Sequence, residues 1–504
     1  MTGRAPTGPE RVRYRFPPLE RRGVIAGWRG GQVTAVAAGL VLAVLSVRSR
    51  PSLSGVMVAV LMVAASVAFA FWPIAGRTGE QWFPVLVRWA RAGVTGGRFQ
   101  PDPRPAAGHR VSMDGNDPGH SIRAVSDQSR PSPQSVFHGI RLLSAEGNIG
   151  GDAVGMVVDD RARTVTAVLS VHGHSFALLG PGEQDARVAS WARVLASLAR
   201  EGSAVHRLQW VESCLPDNGR AVRTHLDDHA VLDFDSPAAR SYRSLLDESA
   251  PVTRHHRVLV AVTVHQGRSA RAIRSAGGGS NGASVVLARE VASVSRSLAG
   301  VDLEVDGVLG RDPLARVLAE ELGGGTDGTG SVPSGDPWPM GLGARWDSVH
   351  TDGMWHAVYW VSEWPRVDVL PDFLGPLLFA PLRRTLSVVM EPVDPVRAAR
   401  QVAQARTAGV ADGELRRRNG FLTSARHTRE RESVDDRDVE LADGHAQFRF
   451  SGYVGVSAPD ESELTAACAA LEQAVGQSRL EVRRLYGQQD SALLCLLPIG
   501  RGLA

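Results

Sequence analysis

The residue types that most often carry catalysis are either absent from this chain or not spaced as common catalytic motifs require. Its 504 residues include no lysine, so all 56 basic residues are arginines. A nucleotide-hydrolysing motor needs a glycine-rich loop ending in Gly-Lys-Ser/Thr, because the lysine ammonium reaches the terminal phosphates. The glycine-rich run from Gly277 to Gly282 lacks that lysine and instead predicts a loop followed by a helix N-cap. A Walker-type ATPase and Schiff-base catalysis are therefore excluded.

Two histidines have the spacing of some metal ligands. His172 and His174 alternate, so a strand would place both side chains on one face. No third ligand accompanies them, because His255 and His256 are adjacent and would point to opposite faces of a strand. Ordinary strand histidines are the favoured interpretation. We predict no catalytic, cofactor-binding or metal site.

The cysteines and the charge balance also narrow the function. Cys214, Cys468 and Cys495 are far apart and have no zinc or redox spacing, so we expect buried thiols. The formal net charge is only +3, and the arginines alternate with carboxylates instead of forming one basic stripe. Direct DNA binding is therefore not supported. An arginine-only chain rich in Ala, Gly and Val is typical of a GC-rich genome such as an actinobacterium's.

Two uncharged stretches near the N-terminus predict a transmembrane hairpin at residues 30–76. They run from Gly30 to Val47 and from Pro51 to Gly76, each close to the roughly 20 helical residues that cross a bilayer. Seven arginines precede the first stretch, two lie in the turn and four follow the second. Short basic flanks stay inside, so the segment 1–29 and the C-terminus are predicted to be cytoplasmic. A cleaved signal peptide is the alternative for the first stretch.

A short amphipathic helix is predicted at residues 77–98, directly after the hairpin. Trp82, Leu86 and Trp89 recur at helical spacing, with arginines off that stripe. Such a helix lies in the headgroup layer of a membrane, and a helix packed on protein is the alternative. Residues 99–134 are rich in Pro, Gly, Ser and Asp without apolar periodicity and predict a linker.

The remaining chain predicts two cytoplasmic α/β domains, at residues 135–322 and 338–504, separated by a Gly-rich linker at 323–337. Strands alternate with helices in both, and the second domain carries a long polar helical insertion from about Asp394 to Leu441, broken or turned at Gly409, Gly413 and Gly420. The predicted fold class is a membrane α-helical hairpin followed by α+β domains, with ferredoxin-like βαβ sandwiches in each half.

Two segments resemble proteins of bacterial conjugation. The first is Tyr14 to Gly23, Tyr-Arg-Phe-Pro-Pro-Leu-Glu-Arg-Arg-Gly, which leads into the hairpin. The second is Glu481 to Asp490, Glu-Val-Arg-Arg-Leu-Tyr-Gly-Gln-Gln-Asp. The chain resembles an actinobacterial family of two-pass membrane proteins found with conjugation genes. Its N-terminal part is similar to the PrgI-type membrane subunit of Gram-positive type IV secretion. Its C-terminal part is similar to the N-terminal, non-motor domain of the conjugative ATPase.

The resemblance implies a non-enzymatic scaffold in the cell membrane, because the motor half of the ATPase is missing. The implied partners are the lipid bilayer, a separate conjugative or secretion ATPase, other secretion-channel subunits and further copies of the chain; no cofactor is implied. Four residues of the second segment are the candidate partner-docking residues: Arg484, Tyr486, Gln488 and Gln489.

Two other functions remain open from the sequence. An EccE-like component of type VII secretion also has a two-helix anchor and a cytoplasmic domain. A membrane-tethered enzyme that acts on lipid or envelope precursors is the third hypothesis, and it would depend on His172 or His174.

Overall fold

The computed structural model describes the hairpin, the helix after it and most of the chain beyond residue 136. Most of the predicted linkers at 99–134 and 323–337 lie outside the described residues. The described residues are 14, 16, 30–49, 51–74, 77–94, 99–101, 136–149, 152–173, 176–216, 226, 229, 236–249, 254–301, 303–323, 337–418 and 425–502.

The two apolar stretches form an antiparallel pair of helices, α1 (Gly30–Ser49) and α2 (Leu53–Phe71). Both are long and apolar enough to cross a membrane, and few of their side chains are buried within the protein. Small residues line the contact between them. A Cβ on Gly39 would lie 2.2 Å from Oγ of Ser66, so the helices approach more closely there than any larger residue allows.

The helices beyond the hairpin include the predicted amphipathic helix, α3, and the predicted polar insertion, α10 and α11. In chain order they are α3 Gly79–Val94, α4 Pro181–Leu198, α5 Pro237–Ser249, α6 Ala270–Ser275, α7 Gly279–Ala299, α8 Arg311–Glu321, α9 Gly375–Leu378, α10 Pro395–Arg418, α11 Ala425–Ala442, α12 Glu461–Gln477 and α13 Gln489–Leu493.

The strands fall into a small hairpin and one large sheet. In chain order they are β1 Pro73–Ile74, β2 Arg77–Thr78, β3 Phe99–Pro101, β4 Ile140–Ile149, β5 Asp152–Asp159, β6 Thr164–Gly173, β7 Val205–Pro216, β8 Arg254–His265, β9 Leu303–Val308, β10 Gly341–Ala344, β11 Val349–Thr351, β12 Met354–Glu363, β13 Arg384–Pro392, β14 Phe448–Ala458 and β15 Glu481–Arg484.

Thirteen of the described strands, β3 to β15, form one antiparallel sheet that crosses both predicted domains. Within it, two groups of four strands have the same order, β9-β6-β8-β7 and β15-β12-β14-β13. In each group a helix follows the first strand and another precedes the last. The groups join where β13 pairs with β7. Separate ferredoxin-like sandwiches are therefore not confirmed, because backbone hydrogen bonds make the two halves continuous.

The apolar residues of the strands are buried on both faces of the sheet. On one face α4 and α7 cover the first group and α12 covers the second. On the other face α8 and the segment from α13 to Ile499 cover both groups together, with Leu318 and Leu497 fully buried. The side chain of Gln209 on β7 holds this segment by donating to the Leu497 carbonyl at 2.9 Å and accepting from the Gly500 amide at 2.7 Å.

A buried ion pair links the two strand groups. The guanidinium of Arg384 on β13 is fully enclosed and donates both terminal nitrogens to the carboxylate of Glu212 on β7. His256 on β8 lies 2.8 Å from the same carboxylate. Arg384 and His256 compensate the Glu212 carboxylate for the water that it loses on burial. The carboxylate or the guanidinium, if buried without the other, would lack this compensation.

The cysteines behave as structural thiols. Cys214 and Cys468 are buried as expected, and Cys495 is partly buried. Burial raises the pKa of Cys214 and raises that of Cys495 to about 12. Both are therefore protonated and unreactive at neutral pH.

Candidate functional site

The helix α3 connects the apolar hairpin to the sheet. The candidate functional site is the contact of α3 with Trp346 and with the segment from Tyr486 to Asp490, and we call this contact the joint. The amphipathic stripe of α3 brings Trp82, Val85 and Trp89 to one face. Val85 is almost fully buried against the sheet, whereas Phe83 and Leu86 are exposed. Of the stripe predicted from the sequence, Trp82 and Trp89 therefore pack on protein, whereas Leu86 does not.

The α3 stripe packs against a single tryptophan of the sheet. Trp346, in the turn between β10 and β11, stacks on Trp82 with ring centroids 5.8 Å apart and meets Trp89 edge-on at 5.5 Å. Its other neighbour is Tyr486, stacked at 6.3 Å. Offset and edge-on aromatic pairs add about 0.5–1.5 kcal/mol each beyond their buried area.

A glycine lets the C-terminal segment reach this ring cluster. Gly487 has a φ of +68°, which residues with side chains rarely adopt. A Cβ at this position would lie 2.6 Å from the Trp346 ring and 2.9 Å from the Val85 side chain. The Gly487 amide also donates to the Trp346 carbonyl at 2.6 Å. The close approach of three segments thus requires glycine.

An ion pair supports the same contact at its rim. Arg88 of α3 donates to the carboxylate of Asp490 at 2.8 and 3.0 Å, and it also contacts Ser491. The arginine side chain is about half exposed, so the pair contributes at most about 1 kcal/mol. Its role is to orient α3 along the sheet more than to hold it there.

The start of α3 contacts both apolar helices. A Cβ on Gly79 would lie 2.5 Å from the Phe69 ring of α2, and a Cβ on Gly31 of α1 would lie 2.2 Å from the Glu80 carboxylate. This carboxylate lies beside the N-terminus of α1, where the helix dipole favours a negative charge. The joint therefore contacts α1, α2 and the sheet through one short helix.

The four candidate partner-docking residues all lie at or beside the joint. Tyr486 belongs to the ring cluster, and Gln488 is half-buried in the turn before α13. Gln489 is 1% exposed, and its side-chain amide accepts from the Val358 amide and donates to the Val358 and Leu485 carbonyls. The polar atoms of Gln489 therefore serve the chain's own backbone.

Arg484 is also occupied within the chain. Its Nε donates to the Asp347 carbonyl at 2.7 Å, and its guanidinium lies over the rings of Tyr359 and Tyr486. Docking of a partner on these residues stays a prediction. Sequence reasoning identified this segment but gave no role to Trp346 or Gly487. For Trp346 the signal in the sequence was a tryptophan within a short polar turn.

The other candidate residues are not gathered into a site. His172 is exposed and pairs with Asp306 at 2.7 Å, and His174 lies outside the described residues. The glycine run forms the turn between α6 and α7, where Gly277, Gly278 and Gly279 all have positive φ. Within the described part of the chain, no three His, Cys, Asp or Glu side chains are grouped to hold a metal ion.

Together these features define an α+β protein in which two apolar helices, each long enough to cross a membrane, are joined through α3 to a large antiparallel sheet. Comparison with known families gives a match to a component of a secretion system. Residues 252–361 match the family model of EccE, whose description reads "putative type VII ESX secretion system translocon". This segment runs from β8 to β12, crosses both strand groups and includes Trp346 of the joint. No curated protein matches the chain. The resemblance to PrgI-type subunits and conjugative ATPases is not confirmed.

Proposed function

We propose that this chain is a non-enzymatic membrane component of a type VII-like secretion complex. The observation that carries the proposal is the EccE match at residues 252–361 in a chain with two apolar helices. The joint adds a physical reason, because it holds a large sheet in a defined position next to the membrane. The conjugative hypothesis depends on two short sequence segments, and the EccE match favours type VII secretion over it.

The proposed arrangement has both chain ends in the cytoplasm. The arginines flanking the hairpin support this orientation, since basic residues near short spans stay inside. The sheet then lies on the side of the membrane where a secretion ATPase binds nucleotide. We propose that this ATPase, other channel subunits and further copies of the chain are its partners.

The proposed partner surface includes the insertion formed by α10 and α11. The two helices pack on each other, and Arg406 of α10 pairs with Asp435 and Asp438 of α11. With about 1.5 Å per residue, the 24 residues of α10 span about 36 Å. A polar pair of helices of this length is well suited to contact another subunit.

We further propose that each strand group is a ferredoxin-like unit. When the strands of each group are numbered in chain order, they lie in the sheet in the order fourth, first, third, second. These orders are β9-β6-β8-β7 and β15-β12-β14-β13. A helix crosses over after the first strand and before the fourth, as in a βαββαβ unit. Joined along β7 and β13, two such units would give the single sheet described above.

The proposal is tested by purifying the tagged full-length chain from its native membrane in a mild detergent. We expect type VII secretion ATPase and membrane subunits to co-purify, and secretion to fail when the gene is deleted. Co-purification of conjugation proteins instead, or unchanged secretion in the deletion strain, would reject the proposal. Reporter fusions at the C-terminus test orientation separately, and an extracytoplasmic signal would contradict it.

A further inference from the structure

A charged cleft lies at the root of the α10–α11 insertion, away from the joint. It has a volume of about 190 Å³ and lies where the start of β7 and the end of β13 meet α10. Four arginines from four different elements line it: Arg200 after α4, Arg268 after β8, Arg397 of α10 and Arg449 of β14.

One buried carboxylate organises the floor of the cleft. The side chain of Glu391 is only 7% exposed; it accepts from Arg268 at 2.9 Å, and Arg207 lies 3.7 Å away. Burial alone would raise the pKa of Glu391, but the hydrogen bond from Arg268 and the charges of Arg268 and Arg207 outweigh it and lower the pKa. Glu391 is therefore ionised at neutral pH and fixes two guanidinium groups.

Arginines outnumber carboxylates among the described residues at the cleft. Five arginines, the four lining residues and Arg207, stand against two described carboxylates, Glu391 and Asp394. Asp394 accepts a hydrogen bond from the Arg397 amide and so caps α10.

The neighbouring arginines also act on the pKa values of two residues beside the cleft. The pKa of Arg207 is lowered, first by burial and then by the nearby Arg268 and Arg449, although Glu391 acts against this. His206 adds no charge at neutral pH, because burial and the neighbouring Arg207 lower its pKa to about 4. An added anion would reduce this repulsion, and a cleft whose lining carries an excess of arginines concentrates anions.

The shape and chemistry of the cleft select the anion. Guanidinium groups bind phosphate oxygens in paired hydrogen bonds. A cavity of about 190 Å³ is smaller than the ~300 Å³ at which pockets for drug-sized ligands begin, so it suits a phosphate or diphosphate group without a purine. We propose that this cleft binds a small phosphate anion between the first strand group and the root of the insertion.

A phosphate bound in this cleft would lie between the first strand group and the α10–α11 insertion. Arg397 and Gln401 lie in the first two turns of α10, and Arg449 lies on β14, where the chain returns from α11. Arg200 and Arg268 belong to the first strand group. A phosphate that contacts arginines from both sides would fix the direction in which the insertion projects.

The test is isothermal titration of the full-length protein in detergent with inorganic phosphate and with pyrophosphate. We expect pyrophosphate to bind more tightly than phosphate, and its affinity to fall as ionic strength rises. Arg397→Gln and Arg268→Gln should each weaken binding at least tenfold. The matched control is Arg296→Gln, an exposed arginine on α7 that donates only to the Ala292 carbonyl of its own helix.

Three outcomes would overturn the proposal. They are an absence of pyrophosphate binding to the unaltered protein, equal binding by Arg397→Gln and the Arg296→Gln control, and tighter binding of a nucleoside than of pyrophosphate. Arg397 is exposed on the first turn of its helix, so its substitution tests the site even where Arg268→Gln weakens the fold.

Discussion

Replacing Trp346 by alanine should release α3 from the sheet while leaving the sheet folded. The substitution removes the stacked contact with Trp82 and the edge-on contact with Trp89. At about 0.5–1.5 kcal/mol for each ring pair, the free energy of opening α3 falls by about 1–3 kcal/mol. That change corresponds to roughly 5- to 150-fold more frequent opening.

The assay is hydrogen–deuterium exchange of the full-length protein in detergent or nanodiscs. Amides of α3 should exchange about 5- to 150-fold faster in Trp346→Ala, and those of β13 and β14 should stay slow. The matched control is Trp355→Ala, since Trp355 lies on β12 and packs on His350 and Arg345, away from α3. Equal α3 exchange in the two variants would refute the idea that Trp346 holds the joint.

Three further changes test other parts of the structure. Arg384→Met should lower stability by about 3–5 kcal/mol, because it removes the guanidinium that pairs with the buried Glu212 carboxylate and leaves His256 beside it; adding Glu212→Gln should recover part of the loss in thermal unfolding. Gly39→Leu should lengthen the spin-label distance between α1 and α2, since Ser66 occupies the space for a side chain; an unchanged distance would contradict the packing. Burial lowers the pKa of His356 to about 3, so stability should fall by about 2 kcal/mol as the pH drops from 6.5 to 5, with a smaller slope in His356→Gln.

The direction of this pH effect follows from proton binding. Below pH 6.5 the unfolded chain protonates its histidines, whereas His356 stays neutral in the fold until the pH nears 3. The unfolded state then binds more protons, so stability rises with pH in this window. His206 has a pKa of about 4 and acts in the same direction, which is why one substitution removes only part of the slope.

Local patterns predicted several elements of the structure. The uncharged stretches gave the two apolar helices, and the tryptophan spacing gave α3, because both signals lie within a few turns of chain. Glycines were a poorer guide. Breaks expected at Gly409 and Gly413 do not occur, since α10 runs through both, and Gly420 lies outside the described residues. A helical glycine costs only about 1 kcal/mol, which the packing of α10 on α11 offsets.

The chain's own order of residues determined where an apolar anchor lies, which segments become helices or strands, and that no lysine-dependent chemistry is possible. Only the folded structure decided which distant surfaces meet. Arg88 and Asp490 are 402 positions apart, and the pairing of β13 with β7 joins halves that composition separates. Periodicity reports which face of an element is apolar. Periodicity does not specify which other apolar face packs against that face, because many faces of similar size could do so. The complementary shapes of residues such as Trp346 and Gly487 select one of them.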